Sequence, residues 1–203
     1  MKRTSLTVGP LAVNCYLVAD ENGNAAVIDP GDEASRILEA LQREGMTCKA
    51  VLLTHVHFDH IGAVKELCEA TGAPLYCHED DAAALTDGRR NLAALFGVAL
   101  SVPSEAQTLR DGQMLAVGDL RFEVLHTPGH TPGGVCYRIG DTLFSGDTLF
   151  CESVGRIDFP GGDGGALRRS IARLFTLPDE TRVFPGHDEP TSIGHEKQYN
   201  PYV

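Results

Sequence analysis

The segment Thr54–His55–Val56–His57–Phe58–Asp59–His60 puts three imidazoles and a carboxylate within six consecutive positions. So many polar side chains in so short a run would repel one another or waste burial energy unless a cation sat among them. Neutral imidazole nitrogen and carboxylate oxygen are donors that zinc, iron and manganese all accept. The segment therefore reads as metal-binding rather than as a solvated histidine-rich loop. Three more residues of ligand type each follow a strand pattern inside a glycine-containing turn. They are His130 in Pro128–Gly129–His130–Thr131–Pro132–Gly133, Asp147 in Ser145–Gly146–Asp147–Thr148, and His187 in Pro185–Gly186–His187–Asp188. Glycine beside such a residue lets backbone approach closely, which a site built from loops requires. The five histidines and two aspartates together are enough for two metal ions.

These side chains need elements to carry them. The apolar run Val51–Leu52–Leu53 reads as a buried strand, and Val64, Leu67 and Cys68 have helical spacing before Gly72 stops the helix. The histidine cluster thus lies on a strand-to-helix turn, at the carboxyl end of a strand, where α/β proteins gather their ligands. Upstream, Leu6 to Ile28 alternates short apolar runs with turn residues and predicts a strand meander with a hairpin at Asn22–Gly23. Asp29 is expected both to cap the next helix and to support the histidine loop. Ala34, Ile37, Leu38 and Leu41 predict a surface helix closed by Gly45. Leu75–Tyr76–Cys77 is a short strand, so strand, helix and strand imply a parallel pair with a crossover helix. Residues 78–96 look irregularly helical, broken at Gly88–Arg89–Arg90–Asn91, and residues 78–106 receive no role. From Leu109 to Asp147 the pattern is strands and turns, with Leu120, Phe122 and Val124 alternating against Arg121 and Glu123. Gly164 to Phe175 is helical again, and Arg182–Val183–Phe184 is a last strand. Strands and helices in each half, with no linker between them, predict two sheets packed face to face with helices outside.

The bulk numbers narrow the functions. A chain of 203 residues can bury a sizeable core, and one domain over 1–203 is expected. The formal net charge of -11 argues against a nucleic-acid partner, whose affinity would come from phosphate neutralisation by Lys and Arg. No run approaches the roughly 20 apolar residues of a membrane span, and Met1–Lys2–Arg3–Thr4–Ser5–Leu6 lacks a signal-peptide apolar core, so no membrane partner and a cytoplasmic location are expected. Cysteines 15, 48, 68, 77, 136 and 151 form no C-x-x-C pair and read as reduced structural thiols; Cys151 stands out for its closeness to Asp147 but reads as a bystander.

The ordered motifs T-H-x-H-x-D-H, G-H-T-P-G, S-G-D-T and P-G-H, spread over nearly the whole chain, resemble those of the metallo-β-lactamase superfamily. Gly146–Asp147–Thr148–Leu149–Phe150 and Gly155–Arg156–Ile157–Asp158–Phe159 resemble its glyoxalase II-like branch, in particular the short bacterial members. The resemblance implies an α/β (α+β) fold, a four-layer αββα sandwich without the C-terminal helical domain of full-length glyoxalase II. It also implies that His55, His57 and His130 hold a first metal, that Asp59, His60 and His187 hold a second, and that Asp147 bridges them. The cofactors would be two divalent metal ions, zinc foremost, with iron or manganese as alternatives. Two ions roughly 3.5–4 Å apart acidify a shared water and polarise a carbonyl. The implied activity is hydrolysis of a small-molecule thioester such as S-lactoylglutathione by a metal-bound hydroxide, with Asp59 orienting the nucleophile. Arg156 matches a basic position of the branch and would meet a substrate carboxylate or pair with a neighbouring one. Asp158 replaces an aromatic residue of the motif, and Asp188 stands where many short members have glycine. Persulfide dioxygenases, which use one iron, share the Gly-Arg-x-Asp-Phe run and tend to have that Asp, so they are the alternative, followed by a hydrolase of another ester or phosphodiester. His78, His126 and His195 fall outside the motifs and are expected to be structural or at the surface. The sequence does not fix an oligomeric state.

Overall fold

The structure, a computed structural model, describes residues 1–103 and 105–203. The first sheet takes its strands in chain order: β1 (Lys2–Val8), β2 (Val13–Ala19), β3 (Asn24–Ile28), β4 (Thr47–Leu52), β5 (Leu75–His78) and β6 (Gln107–Leu109). The pairs β1–β2 and β2–β3 are antiparallel, and β3 to β6 run parallel. Between them come α1 (Ala34–Arg43), α2 (Phe58–Ile61), α3 (Val64–Thr71), α4 (Glu79–Ala82) and α5 (Ala93–Phe96). The second sheet holds β7 (Met114–Val117), β8 (Leu120–His126), β9 (Val135–Ile139) and β10 (Thr142–Gly146) as an antiparallel meander. After a small hairpin of β11 (Leu149–Phe150) and β12 (Ser153–Val154) comes α6 (Gly164–Leu174), which crosses over to β13 (Arg182–Pro185), parallel to β10. The edge strand β14 (Thr191–Ser192) and α7 (Ile193–Tyr199) complete the chain.

Successive strand residues face opposite sides of a sheet, and here both sides are apolar. Along β3 and β4, Val27 and Val51 join Ile37, Leu41, Val64 and Leu67 beneath α1 and α3. Their neighbours Ile28 and Leu52 face the other way, into a core with Phe122, Tyr137, Phe144 and Phe184 between the two sheets. Leu143 and Val183 on the far face of the second sheet meet Leu174 and Ile193 of α6 and α7. The layers are therefore helix, sheet, sheet, helix, as expected. Asp163 caps α6 by accepting from the backbone of Gly165 and Ala166.

Two buried tyrosines cross the central core to the opposite sheet. Tyr137 on β9 donates to the carbonyl of Leu53 at 2.7 Å, where the chain leaves β4 for the histidine cluster. Tyr16 on β2 donates to the carbonyl of Pro185 at 2.6 Å, just before His187. Each sheet thus fixes the origin of a loop belonging to the other.

Several local readings change. Asp29 does not cap α1: the helix starts at Ala34, its N-cap is Glu33, and both Asp29 oxygens are spent on Thr54. After His78, which ends β5, residues 79–96 hold only two single turns, α4 and α5, and left-handed backbone at Leu92 and Gly97 bounds α5 on either side. The strand at Gln107–Leu109 closes the first sheet beside β5 rather than opening the second. Among the described residues no helix is long and apolar enough to cross a membrane.

Candidate metal centre

All seven sequence-selected residues meet at one edge of the sandwich. His55 and His57 lie on the loop leaving β4, Asp59 and His60 on α2, His130 between β8 and β9, Asp147 directly after β10, and His187 directly after β13. Every segment enters from the carboxyl end of a strand. His130 Nε2 stands 2.9 Å from His57 Nδ1, and the rings of His55, His57 and His130 are mutually edge-on at 4.6–4.9 Å. On the other side His187 Nε2 lies 3.4 Å from Asp59 Oδ2, and His60 Nε2 lies 3.8 Å from the same oxygen. Asp147 sits between: Oδ1 is 3.4 Å from His60 Nε2, and Oδ2 is 3.6 Å from both His130 Nε2 and His187 Nε2. His55, His57 and His130 each offer an atom within 4.8 Å of the others, as do Asp59, His60 and His187.

The second nitrogen of three histidines is engaged outside this cluster, and that of a fourth lies near a carboxylate. His130 Nδ1 faces the carbonyl of Arg156 at 2.8 Å, and His187 Nδ1 that of Leu11 at 3.0 Å. His55 Nδ1 lies 3.1 Å from Thr54 Oγ1, whose hydroxyl donates to Asp29 at 2.6 Å. His60 Nδ1 is 3.1 Å from the same carboxylate, outside hydrogen-bond alignment. Carbonyls and carboxylates accept, so these contacts place a proton on Nδ1 and turn Nε2 inward. His57 is turned the other way, with Nδ1 inward.

Orphaned atoms test whether cations fit here. Among the described residues, the buried side-chain nitrogens and oxygens without a hydrogen-bond partner are His55 Nε2, His57 Nε2, both nitrogens of His60, Asp147 Oδ1, and one atom elsewhere, Arg138 Nε. Buried polar atoms are almost always paired, and three of these orphans, His55 Nε2, His60 Nε2 and Asp147 Oδ1, lie together at the centre of the cluster, as atoms left for a cation would. Burial, and then His60, hold His55 well below its ordinary pKa; burial, and then His130, bring His57 down to about 3. Both rings are neutral donors. For His60 burial opposes the charge, but Asp147, Asp59 and Asp29 outweigh it and raise the ring well above its ordinary value. Asp147 stays ionised despite burial because His60, His55 and His130 surround it.

Glycine is obligatory beside two of these residues. A Cβ on Gly186 would lie 2.3 Å from Asp147 Oδ1 and 2.7 Å from His60 Cε1, and one on Gly155 would lie 1.9 Å from the Asp147 carbonyl. Asn14 on β2 ties the His187 loop down, its amide donating to the carbonyls of Pro185 and Asp188 and its backbone N–H to Gly186.

Arg156 stands at the rim. Its guanidinium makes two 2.7 Å bonds to Asp158 and stacks on Phe159 at 3.8 Å. The rings of Phe159 and Phe96 extend from His57 as an apolar wall, with His57–Phe159 and Phe159–Phe96 centroids 6.2 and 6.3 Å apart. The other histidines lie elsewhere. His78 and His126 stack at 3.9 Å with planes 12° apart, so their lone pairs run side by side rather than converge, and His195 pairs with Glu152 beside Cys151. Sequence reasoning missed Leu11, Asn14, Tyr16, Tyr137 and the Arg156 carbonyl. Most act through backbone or cross-core bonds that leave no local pattern.

The profile described as the metallo-beta-lactamase superfamily matches residues 8–187. The chain is 37% identical over 199 residues to hydroxyacylglutathione hydrolase GloC of Haemophilus influenzae, covering 94% of this chain and 92% of that protein. It is similar in structure to BLEG-1 B3 metallo-beta-lactamase, with a TM-score of 0.95, 38% identity and 99% of each chain covered. It is similar to TTHA1623 in a di-iron-bound form, with a TM-score of 0.90, 44% identity, and 98% and 100% of the two chains covered. For ETHE1 from Myxococcus xanthus the TM-score is 0.81 at 36% identity, covering 99% of this chain and 84% of that one.

Proposed function

The chain belongs to the metallo-β-lactamase superfamily, and on that premise we propose that it is a cytoplasmic metal-dependent hydrolase of the glyoxalase II type, cleaving a small-molecule thioester such as S-lactoylglutathione. The observation that carries this reading is the convergence of seven ligand-type side chains at one sheet edge, with His55 Nε2, His60 Nε2 and Asp147 Oδ1 buried there without a hydrogen-bond partner. His55, His57 and His130 would hold one divalent ion, Asp59, His60 and His187 another, and Asp147 would contact both; zinc is our first choice, and the similar di-iron protein keeps iron open. When bound, such ions supply an acidified water and a polarised carbonyl.

The chain's own residues do the rest. Burial alone would raise the Asp59 carboxyl, but His60 and His187 hold it below its ordinary pKa, so it is an ionised acceptor at neutral pH. In that state it orients the O–H of an attacking water. Phe159 lies edge-on to His57, and Phe96 continues the apolar rim beyond it. A thiolate leaves without help from an acid, which fits a first group in which His55 and His57 are neutral donors. Arg156 would meet a carboxylate of the thiol half only after its bidentate pair with Asp158 opens. The 37% identity to hydroxyacylglutathione hydrolase GloC supports the thioester.

A persulfide dioxygenase using a single iron is the second reading. Two histidines and a carboxylate, His55, His60 and Asp147, converge here, the composition of a non-haem iron triad. One experiment separates the two: elemental analysis of protein purified without added metal or chelator, followed by assays on lactoyl and acyl thioesters, glutathione persulfide, a phosphodiester and a β-lactam. Two metals per chain with thioester cleavage is the expected result. One iron with oxygen uptake on the persulfide would replace our reading by the second.

A further inference from the structure

A cleft of about 480 Å³ lies beside the metal centre on the side of its second group. The α2–α3 segment lines it, together with the turn between β1 and β2 and residues 98–101, which belong to the stretch to which the sequence assigned no role. Two residues join it to the centre. Asp59 lines it directly, and so does Leu11, whose carbonyl faces His187 Nδ1 at 3.0 Å. Both walls are anchored: Phe58 packs with Leu92, Ala93 and Leu100, and the Gly9 N–H donates to Glu33 at 2.9 Å. The volume falls in the range of small-molecule sites, roughly 300–1,000 Å³.

The lining is apolar and acidic. Leu11, Val13, Phe58, Val98 and Leu100 supply the apolar surface, and Leu11 and Val98 remain 46% and 40% exposed. Besides Asp59, the carboxylates of Asp32, Glu66 and Glu69 line it, against a single cation, Lys65, whose ammonium donates to Ser101 Oγ at 3.1 Å. An uncharged apolar chain laid here would remove Leu11 and Val98 from water, whereas an anion would meet like charge. On the opposite side of the centre stands Arg156, its carbonyl on His130 of the first group.

We propose that this cleft is the acyl subsite of the thioesterase and that it takes an uncharged, apolar acyl chain longer than lactoyl, with the thiol half directed towards Arg156. The inference rests on the thioester reading above. The three carbons of a lactoyl group would leave most of the cleft open. The reverse orientation is disfavoured by charge: the glutathione half carries two carboxylates and one ammonium, and its net negative charge would face Asp32, Glu66 and Glu69.

The test is kcat/KM of the metal-loaded protein for one series of S-acyl glutathiones: lactoyl, butanoyl, hexanoyl and adipoyl, the last being a six-carbon chain ended by a carboxylate. From butanoyl to hexanoyl kcat/KM should rise roughly fourfold per methylene, the worth of a buried CH₂, and adipoyl should fall below hexanoyl. Val98→Asp, at an exposed wall position, should lower the hexanoyl-to-lactoyl ratio. Glu69→Lys should raise adipoyl relative to hexanoyl by about 3- to 10-fold at low ionic strength, a gain that added salt removes. A wild type that prefers lactoyl or adipoyl to hexanoyl, or a hexanoyl-to-lactoyl ratio that Val98→Asp does not move, would overturn the acyl subsite and leave the thioester reading standing. Cleavage of none of these thioesters would overturn that reading and the subsite with it, so the two failures are distinguishable.

Discussion

The two halves of the metal centre are built on different principles. His55, His57 and His130 are almost fully buried and carry no carboxylate of their own, and burial holds the His55 and His57 rings neutral. Asp59, His60 and His187 include a carboxylate, and the side chains of Asp59 and His187 are 14% and 21% exposed. This second group can satisfy itself by charge: burial disfavours a charged His187, but Asp59 and Asp147 overcome it and raise its pKa. The first group has no such recourse, and without a cation its lone pairs cost desolvation with no return. A cation should therefore contribute more to the folded state through the first half, whereas the second half is closer to self-sufficient and more open to solvent.

The largest expected effect removes the residue that both halves share. Asp147→Ala should abolish loading of two ions and lower kcat/KM by about 10³-fold, taking metal stabilisation of the reaction as roughly 4 kcal/mol. Elemental analysis with a thioester assay reads both, and an Asp147→Ala protein that keeps two metals would break the division into halves. Single removals should then separate them. His57→Ala should lose the first ion and also lower the metal-dependent rise in Tm. His187→Ala should lose only the second and retain most of that rise, and equal Tm losses in the two variants would erase the asymmetry argued here.

A smaller effect concerns how each half is held. Tyr137 reaches the Leu53 carbonyl ahead of His55, and Tyr16 reaches the Pro185 carbonyl ahead of His187. Tyr137→Phe leaves the buried Leu53 carbonyl without that donor and should cost about 1–3 kcal/mol in urea unfolding, whereas Tyr16→Phe should cost less because Asn14 still donates to Pro185. Tyr137→Phe should further weaken metal binding at the first half, and Tyr16→Phe at the second. A crossed or uniform response would show that the tyrosines stabilise the core without addressing the site.

The sequence exposed what is local and chemically dense. His55, His57, Asp59 and His60 fall in one run, and His130, Asp147 and His187 each sit beside glycine after a strand, so type and spacing were enough to select them. The alternation of apolar residues gave the two sheets and their outer helices. What escaped was contact between segments far apart in the chain. Asp81 sits in a single isolated helical turn with no periodicity, and its hydrogen bonds come from Thr131 and Gly133, which no spacing rule links to it. Asp29 was legible as an aid to the histidine loop, but the left-handed backbone at φ 50 that turns it towards Thr54 and away from α1 was not. Arg156 was read for its side chain, whereas its carbonyl is what touches His130.

A control outside both halves should leave the comparison untouched. In the β2–β3 turn, Asp20 Oδ1 accepts from the backbone of Asn22 and Asn24, and Oδ2 from the Asn24 amide and from the Asp119 N–H. Those donors, Asp119 first and then Asn24, bring its pKa from 3.8 down to about 2. A carboxyl whose pKa is lower folded than unfolded stabilises the protein above the unfolded value, and that contribution fades as pH falls from about 4 through about 2. The Tm difference between wild type and Asp20→Asn should therefore be largest at neutral pH and shrink across that window, while both zinc affinities at neutral pH stay at their wild-type values. The outcome that would count against the comparison is a change in either affinity, because it would mean that a turn at the far end of β2 and β3 can loosen the centre. Loop geometry at the strand ends would then be set by the sheet as a whole, and the separate attachments described for each half would not be what distinguishes them.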